Sequence, residues 1–157
     1  MRKRLITPIQ QTESDLERGW LDLDRVASLE VSSEDPAHPI EGALVRQDAR
    51  GWRASEPGPQ SVRLIFDKPR DIERIQLIFE EPETERTQEF VLRWSAGKDE
   101  ASREIVRQQW NFSPAAAPRE TENFAVKLSG AIVLELIINP DIHGSQARAS
   151  LSSLRLA

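Results

Sequence analysis

Apolar and polar residues alternate along most of this chain, and this alternation limits the fold more than any other feature. Neighbouring side chains of a β-strand point to opposite faces, so a period of two is typical of a strand with one buried face. We therefore predict an all-β domain, an antiparallel β-sandwich of eight strands. The apolar residues of the eight segments are Leu29 and Val31; Val62, Leu64 and Phe66; Ile75, Leu77 and Phe79; Phe90, Leu92 and Trp94; Val106, Trp110 and Phe112; Phe124, Val126 and Leu128; Ile132, Leu134, Leu136 and Ile138; and Leu151, Leu154 and Leu156.

The length of 157 residues suits a single domain with a full hydrophobic core. Residues 1–19 are polar and lack periodicity, so we expect them to form an N-terminal arm, with the β-sandwich domain spanning residues 20–157. One helical turn is expected at residues 39–44, where Pro39 is suited to a first helical position.

The connections between the predicted strands differ according to their order. The odd-numbered connections are mostly long and hold eight of the ten prolines, whereas the even-numbered ones are shorter and hold one. When successive strands run antiparallel, odd and even connections lie at opposite ends of a sandwich. The sequence therefore predicts that the elaborate loops gather at one end, the loop end, as binding loops do. The odd connections are 33–61, 80–87, 113–121 and 139–147, and the even ones are 67–71, 95–102 and 129–130.

Composition excludes several classes of function. The absence of cysteine excludes disulfides and thiolate chemistry, and the net charge of -5 argues against nucleic acid as the partner. No apolar run approaches the roughly 18 residues of a membrane span, and no signal peptide follows the basic N-terminus, so we expect a cytoplasmic protein. No nucleophile elbow, phosphate-binding glycine loop or metal-ligand spacing is found, so we predict no catalytic activity.

Seven short segments of small, Trp and apolar residues carry a resemblance to a known family. They are ASLEVSSE at 27–34, IEGAL at 40–44, GWRA at 51–54, QSVRLIF at 60–66, IERIQL at 72–77, RTQEFVL at 86–92 and ASLSSLRL at 149–156. This order is similar to that of the discoidin, or coagulation factor 5/8 C-type, domain of the galactose-binding-like superfamily. The resemblance implies an eight-stranded jelly roll with a ligand site at the loop end. Family members include carbohydrate-binding modules, lipid-binding domains and intracellular protein-interaction domains.

Two departures from the family pattern narrow these options. The family often binds a structural calcium ion with a Glu of the last strand, and Ser153 stands at that place here. Glu34, Asp35 and Glu41 could still supply oxygens, but we predict that the domain has no cofactor. The loop tips are rich in acidic residues, which anionic lipid repels, so we predict no membrane binding.

Five residues of the odd connections are candidates for ligand binding. His38 and His143 are the only histidines, and a neutral imidazole can both accept and donate a hydrogen bond to a sugar hydroxyl. Trp52 either packs under the loops, as the family pattern implies, or stacks on a sugar ring. Arg53 and Arg86 are predicted hydrogen-bond donors, with exposed surface arginines as the alternative.

Two functions remain open from the sequence. The first is a non-catalytic module that binds a carbohydrate or another polyhydroxylated molecule at the loop end. The second is an intracellular protein-protein interaction domain, which a cytoplasmic location would favour. The sequence makes no prediction of the oligomeric state.

Overall fold

The computed structural model describes residues 19–45, 50–97 and 100–157, so residues 1–18 of the expected arm lie outside the described residues. Eight strands and two helices are found within these ranges. The helices are α1 (Leu23–Val26) and α2 (Glu41–Leu44), and the strands are β1 (Ala27–Val31), β2 (Trp52–Pro57), β3 (Gln60–Glu80), β4 (Arg86–Ser95), β5 (Arg103–Phe112), β6 (Arg119–Asn139), β7 (Arg148–Leu151) and β8 (Ser153–Leu156).

Both helices are single turns of four residues. Helix α2 confirms the helical turn predicted at residues 39–44, and it buries Ala43 and Leu44 in the core. Within the described parts of the chain, no helix is long and apolar enough to span a membrane.

The strands form two antiparallel sheets. The larger has the order β1-β3-β6-β4-β5, with β8 also paired to β3, and the smaller consists of β2 and β7. All the strand pairs in both sheets are antiparallel. The predicted fold class, an all-β antiparallel sandwich, is confirmed.

Strands β3 and β6 form a long ribbon that contributes to both layers of the sandwich. Each strand has 21 residues, and their pairing runs from Gln60 and Ile138 at one end to Glu80 and Arg119 at the other. β1 and β4 flank the half of the ribbon that contains Gln60, whereas β8 flanks the half that contains Glu80. The ribbon register shifts between these halves, within residues 65–74 of β3.

The prediction of connections at residues 67–71 and 129–130 is wrong, because these residues lie within β3 and β6. They form the bend between the two halves of the ribbon, which we call the corner. Pro69 and Gly130, which has a φ of +68°, interrupt the alternation without ending the strands. The Gly130 amide donates a hydrogen bond to Asp71 Oδ1 at 2.8 Å, which links the two strands at the corner. An interrupted period marks a bend as readily as a turn, so the pattern alone did not separate the two.

Aromatic packing holds the two halves of the ribbon against each other. The ring of Phe90 on β4 lies 5.3 Å from the ring of Phe79 and 6.3 Å from that of Phe124, measured between centroids. Because Phe79 and Phe124 belong to the half beyond the corner, these contacts close the sandwich. The largest fully buried side chains are Trp52, Phe79, Phe90, Phe112, Leu23, Leu64, Ile72, Ile75, Leu77, Leu92, Leu134 and Leu136.

β2 was not predicted from the sequence, and β7 was identified only by its last residue. Each strand buries only two side chains, Trp52 and Ala54 in β2 and Ala149 and Leu151 in β7. One of the two in each strand is an alanine, so a single large apolar side chain is left to mark the strand in the sequence.

The four odd connections lie at one end of the sandwich, as predicted. The ribbon folds over at its corner, so the chain changes direction there as it would at a turn, and the order of the loops is preserved. Three backbone hydrogen bonds link the loops to one another. They run from Gly58 N to Ala147 O (3.3 Å), from Glu81 N to Pro118 O (2.7 Å) and from Ile142 N to Thr87 O (2.9 Å).

Replacing Gly51 by Ala should destabilise the fold, because Gly51, which directly precedes β2, has a left-handed conformation with φ of +59°. A Cβ atom would lie 2.6 Å from Leu151 O, so the β2–β7 pair must shift. We expect a loss on the order of 3 kcal/mol in the free energy of unfolding, measured by urea denaturation.

Gly58→Ala is the matched control, because Gly58 has φ of +86° but nothing within 4 Å of a new Cβ atom. It should lose only about 1 kcal/mol, the cost of the backbone conformation. Equal losses in the two variants would contradict the close approach at Gly51.

Candidate functional site

A cleft of about 530 Å³ opens at the loop end, and we call it the loop-end cleft. Three parts of the chain line it: His38 with Arg50, Trp52 and Arg53; residues 80–84 at the β3–β4 loop; and residues 145–148 and 150–152 around β7. The first, third and seventh connections therefore meet at a single concave surface.

The β2–β7 pair forms one wall of the cleft. Trp52 pairs with Leu151 and Arg53 with Ser150, and burial alternates along both strands. Trp52 and Leu151 face the core, so Arg53, Ser150 and Arg148 lie together on the outer face. These three outer residues line the cleft.

Trp52 supports the cleft from beneath. Only 1% of its surface is exposed, and its indole Nε1 donates a hydrogen bond to Ser33 O at 3.1 Å. This placement fits the first of its two predicted roles, packing under the loops, and leaves little ring surface for stacking on a sugar.

His38 is fixed beside Arg53 by the backbone. The Arg53 amide donates to His38 O at 3.1 Å, and the Asp35 amide donates to Arg53 O at 2.8 Å. The His38 side chain is 33% exposed, with Nδ1 3.7 Å from Asp35 Oδ2. His38 and Arg53 are thus neighbours in the cleft, as the sequence analysis predicted for residues of one binding end.

The β3–β4 loop forms the opposite wall and is ordered around Glu81. Its carboxylate accepts hydrogen bonds from Arg86 Nε at 2.8 Å and from the amides of Glu83 and Thr84 at 3.1 and 3.3 Å. Burial works against ionisation, but these donors and the positive charge of Arg86 hold the pKa of Glu81 below its ordinary value. Glu81 is therefore a fixed anion in the wall.

Arg86 lies behind this wall, with only 1% of its side chain exposed. Besides Glu81, its guanidinium donates to Pro140 O at 2.8 Å and to Gln88 Oε1 at 3.3 Å, and it stacks over Phe112 at 4.6 Å. Arg86 joins the third connection to the seventh. Its predicted role as a ligand donor gains no support, because the side chain presents no exposed surface.

His143 lies on the β6–β7 loop but outside the cleft lining. It is exposed, and its amide donates to Asp141 Oδ1 at 3.0 Å. Hydrogen bonds from Ser145 and from this amide lower the pKa of Asp141. Of the five predicted site residues, the cleft brings together His38, Trp52 and Arg53.

Arg148 and Ser150 were not predicted as site residues from the sequence. Without β7 there was no reason to place Arg148 on the same wall as Arg53, since the pairing of β2 with β7 brings both residues to the cleft. The prediction of odd connections meeting at one end was the only signal that pointed to this segment.

Two acidic residues of the first connection accept local hydrogen bonds. Glu34 Oε2 accepts from the Ile40 amide at 3.0 Å, and Asp35 Oδ1 accepts from the Ala37 amide at 2.9 Å. Among residues 19–45, 50–97 and 100–157, no group of three His, Asp or Glu residues is arranged to hold a metal ion.

A buried carboxyl group lies deeper in the same end of the sandwich. Glu120 is fully buried, and its Oε1 accepts a weak hydrogen bond from Gln88, at 3.4 Å. Burial, and then the hydrogen bond and negative charge of Glu122, raise the pKa of Glu120 to about 8. At neutral pH Glu120 is therefore mostly protonated.

Comparison with known proteins shows the fold. No protein-family model and no curated protein matches the sequence. Solved structures do match it, at 10–19% identity. Reduced XRCC1, bound to the DNA polymerase β catalytic domain, is 19% identical with a TM-score of 0.59, over 85% of this chain and 95% of that one.

Several of the similar structures are carbohydrate-binding modules of family 32. The module of Clostridium perfringens NanJ, in complex with galactose, is 14% identical with a TM-score of 0.59, over 87% of this chain and 96% of that one. The module of AlyQ, in complex with 4,5-unsaturated mannuronic acid, is 10% identical with a TM-score of 0.61, over 84% and 95%. The chain thus has the discoidin-like, galactose-binding-like fold, which confirms the resemblance in the sequence at the level of fold.

Breaking the Arg86–Glu81 pair should be costly, because it leaves a partly buried carboxylate without its partner and removes the link to Pro140. We expect Arg86→Ala to lower the free energy of unfolding by about 3–5 kcal/mol, measured by urea denaturation. The control is Arg119→Ala, which removes the exposed partner of Glu80 and should cost about 1 kcal/mol or less. A similar small loss in both variants would contradict a structural role for Arg86.

The buried Glu120 should make stability fall as the pH rises. A carboxyl group whose pKa is raised in the folded state contributes stability that is present below about pH 4 and is lost as the pH rises through about 8. Glu120→Gln should remove this dependence. The free energy of unfolding of the variant should therefore rise relative to that of wild type by about 1 kcal/mol per pH unit between pH 5 and 8.

The measurement is urea denaturation at each pH. Glu122→Gln should weaken the dependence without abolishing it, because Glu120 stays buried after its charged neighbour is removed. Parallel profiles for wild type and Glu120→Gln would contradict the raised pKa.

Proposed function

We propose that this protein is a non-catalytic binding module that takes a carbohydrate, or another polyhydroxylated ligand, in the loop-end cleft. The observation that carries the proposal is the convergence of His38, Arg53, Arg148 and Ser150 on one concave surface of about 530 Å³. Shallow concave sites with a few convergent polar groups are suited to small ligands.

The chemistry of these side chains suits hydroxyl groups. A guanidinium presents a planar fork of donors that spans two neighbouring hydroxyls, and an imidazole or a serine hydroxyl can donate or accept. On the opposite wall, Glu83 is exposed and offers an acceptor. Exposed contacts of this kind give weak binding, with a Kd in the micromolar to millimolar range, or roughly 4–8 kcal/mol.

The acidic groups of the cleft favour binding over catalysis. A glycosidase uses one protonated and one ionised carboxyl group on either side of the bond that breaks. Glu81 is held ionised by Arg86 and two amides, and Glu80 is paired with Arg119 at 3.4 Å. Neither carboxylate is prepared to act as a general acid.

The architecture favours a pre-formed site. Arg86 joins the β3–β4 loop to the β6–β7 loop, and the backbone bonds between Asp35, His38 and Arg53 fix the opposite wall. Such a site loses little conformational entropy on binding. The similar structures that hold galactose and an unsaturated mannuronic acid support a sugar as the ligand.

A protein partner is the second candidate. It is favoured by the similarity to XRCC1, whose structure was determined in complex with a polymerase domain. A cytoplasmic location, which we expect from the sequence and keep as a proposal, would supply protein partners more readily than polysaccharide.

Sugar binding should depend on Arg53. We expect Arg53→Ala to weaken binding of a responsive mono- or oligosaccharide about tenfold, because it removes an exposed donor without disturbing the core. Isothermal titration calorimetry against a panel of saccharides measures this. Lys127→Ala, which removes an exposed charge from the outer face of β6, is the matched control and should bind as wild type does.

The proposal of a sugar ligand would be overturned in favour of a protein partner by two results together. The wild-type protein would bind no saccharide of the panel, and a specific protein recovered from lysate would bind wild type but not Arg53→Ala. Equal losses of saccharide affinity in Arg53→Ala and Lys127→Ala would indicate that the binding surface lies outside the cleft.

A further inference from the structure

We propose that the ligand of the loop-end cleft is an acidic saccharide, whose carboxylate is held by Arg53 and Arg148. This inference rests on the proposed function and deepens it, because it names the chemical class of the sugar. It is carried by the pairing of β2 with β7 and by the distribution of charge partners between the two walls.

The strand register brings the two guanidinium groups to the same face. Arg53 lies directly opposite Ser150, and Arg148 lies two residues before Ser150 on the same side of β7. Arg148 is paired with Pro57, and the register shifts between Arg53 and Pro57. Both arginines nevertheless line the same cleft as Ser150, whose hydroxyl adds a third donor group.

Neither arginine has a charge partner within the part of the chain that the structure describes. Both are exposed, and among residues 19–45, 50–97 and 100–157 no ion pair or side-chain hydrogen bond engages either guanidinium. Two other exposed arginines do have ion pairs, Arg107 with Glu89 at 2.7 Å and Glu104 at 3.0 Å, and Arg119 with Glu80 at 3.4 Å. The donors of Arg53 and Arg148 are thus available to a ligand.

The acidic residues of the cleft do not cancel this positive charge. Glu80 is paired with Arg119 and Glu81 with Arg86, so Glu83 is the one cleft-lining carboxylate of the described residues without an ion pair. Arg53 and Arg148, which make no ion pair among the described residues, face Glu83 across the cleft, so an anionic sugar gains an attraction that a neutral sugar does not.

A carboxylate on a sugar ring matches this arrangement. Each guanidinium can donate two parallel hydrogen bonds to a carboxylate, and such charge-assisted bonds are roughly twice as strong as neutral ones. The remaining ring hydroxyls are left for His38 and Ser150, both of which line the same cleft. A hexuronate unit supplies both kinds of group on one ring.

The test compares neutral hexoses with the hexuronates that differ from them only at C6. Calorimetric titrations would use galactose with galacturonate, glucose with glucuronate, and mannose with mannuronate, as monosaccharides and short oligomers. We expect one uronate to bind at least tenfold more tightly than its neutral partner, and its affinity to fall as salt rises. Hexose 6-phosphates form a further arm, and tighter binding of a phosphate than of every uronate would overturn the carboxylate assignment.

Variants separate the anion site from the rest of the cleft. Arg148→Ala should lower uronate affinity about tenfold while changing neutral-sugar affinity less than twofold, and Arg148→Lys should recover part of the loss. Lys127→Ala is the control for net charge and should have no effect. The thermal unfolding temperature of each variant should match that of wild type, because Arg148 and Lys127 are both exposed.

The outcomes distinguish this inference from the proposed function. A neutral sugar that binds as tightly as its uronate, with Arg53→Ala weakening it, would overturn the inference and leave the proposed function standing. No response from any saccharide, neutral or acidic, would overturn the proposed function itself.

Discussion

The folded ribbon of β3 and β6 is the constraint on which the rest of the structure depends. Its two strands of 21 residues belong to both layers, and the corner near Asp71 and Gly130 turns one half of the ribbon over the other. The contacts of Phe79 and Phe124 with Phe90 then close the sandwich. Because the corner occupies the opposite end, the loops that begin and end the ribbon must meet, and the cleft is a geometric consequence of the fold.

The loop end is stabilised from the inside by a charged group. A buried ion pair is rarely a net gain in stability, since desolvation of both charges offsets their attraction. Arg86 reduces this cost because its guanidinium has three acceptors, Glu81, Gln88 and Pro140 O, and an aromatic face beneath it. The pair fixes the position of two loops that lie outside the paired strands. A hydrophobic residue at this place could fill the volume but could not define the path of both loops.

The sequence predicted the features that repeat and missed those that occur once. Alternation over many residues predicted the class of fold, and the order of loops predicted that residues as distant as His38 and Ser145 would share one end. Alternation failed for β7, where Ala149 and Leu151 are the only buried positions, and it could not tell the corner at Gly130 from a turn. For the site, the sequence identified Arg53 by its residue type, whereas Arg86 has the same type and lies in the interior. Burial of a single arginine depends on partners from three segments of the chain, and no local pattern records them.

The distribution of charge explains how an acidic protein can present a site for an anion. The net charge of -5 repels a negative ligand at long range, but at physiological ionic strength the Debye length is about 8 Å, so most of this repulsion is screened. Within the cleft, Glu80 and Glu81 already have cationic partners, and Arg53 and Arg148 act at contact distance. The attraction of the ligand to the two arginines therefore acts at short range, whereas its repulsion by the net charge of the protein is spread over the surface and screened. Such a site gains little from electrostatic steering, so its selectivity must arise in the lifetime of the complex, where hydrogen bonds to a correctly placed carboxylate slow dissociation.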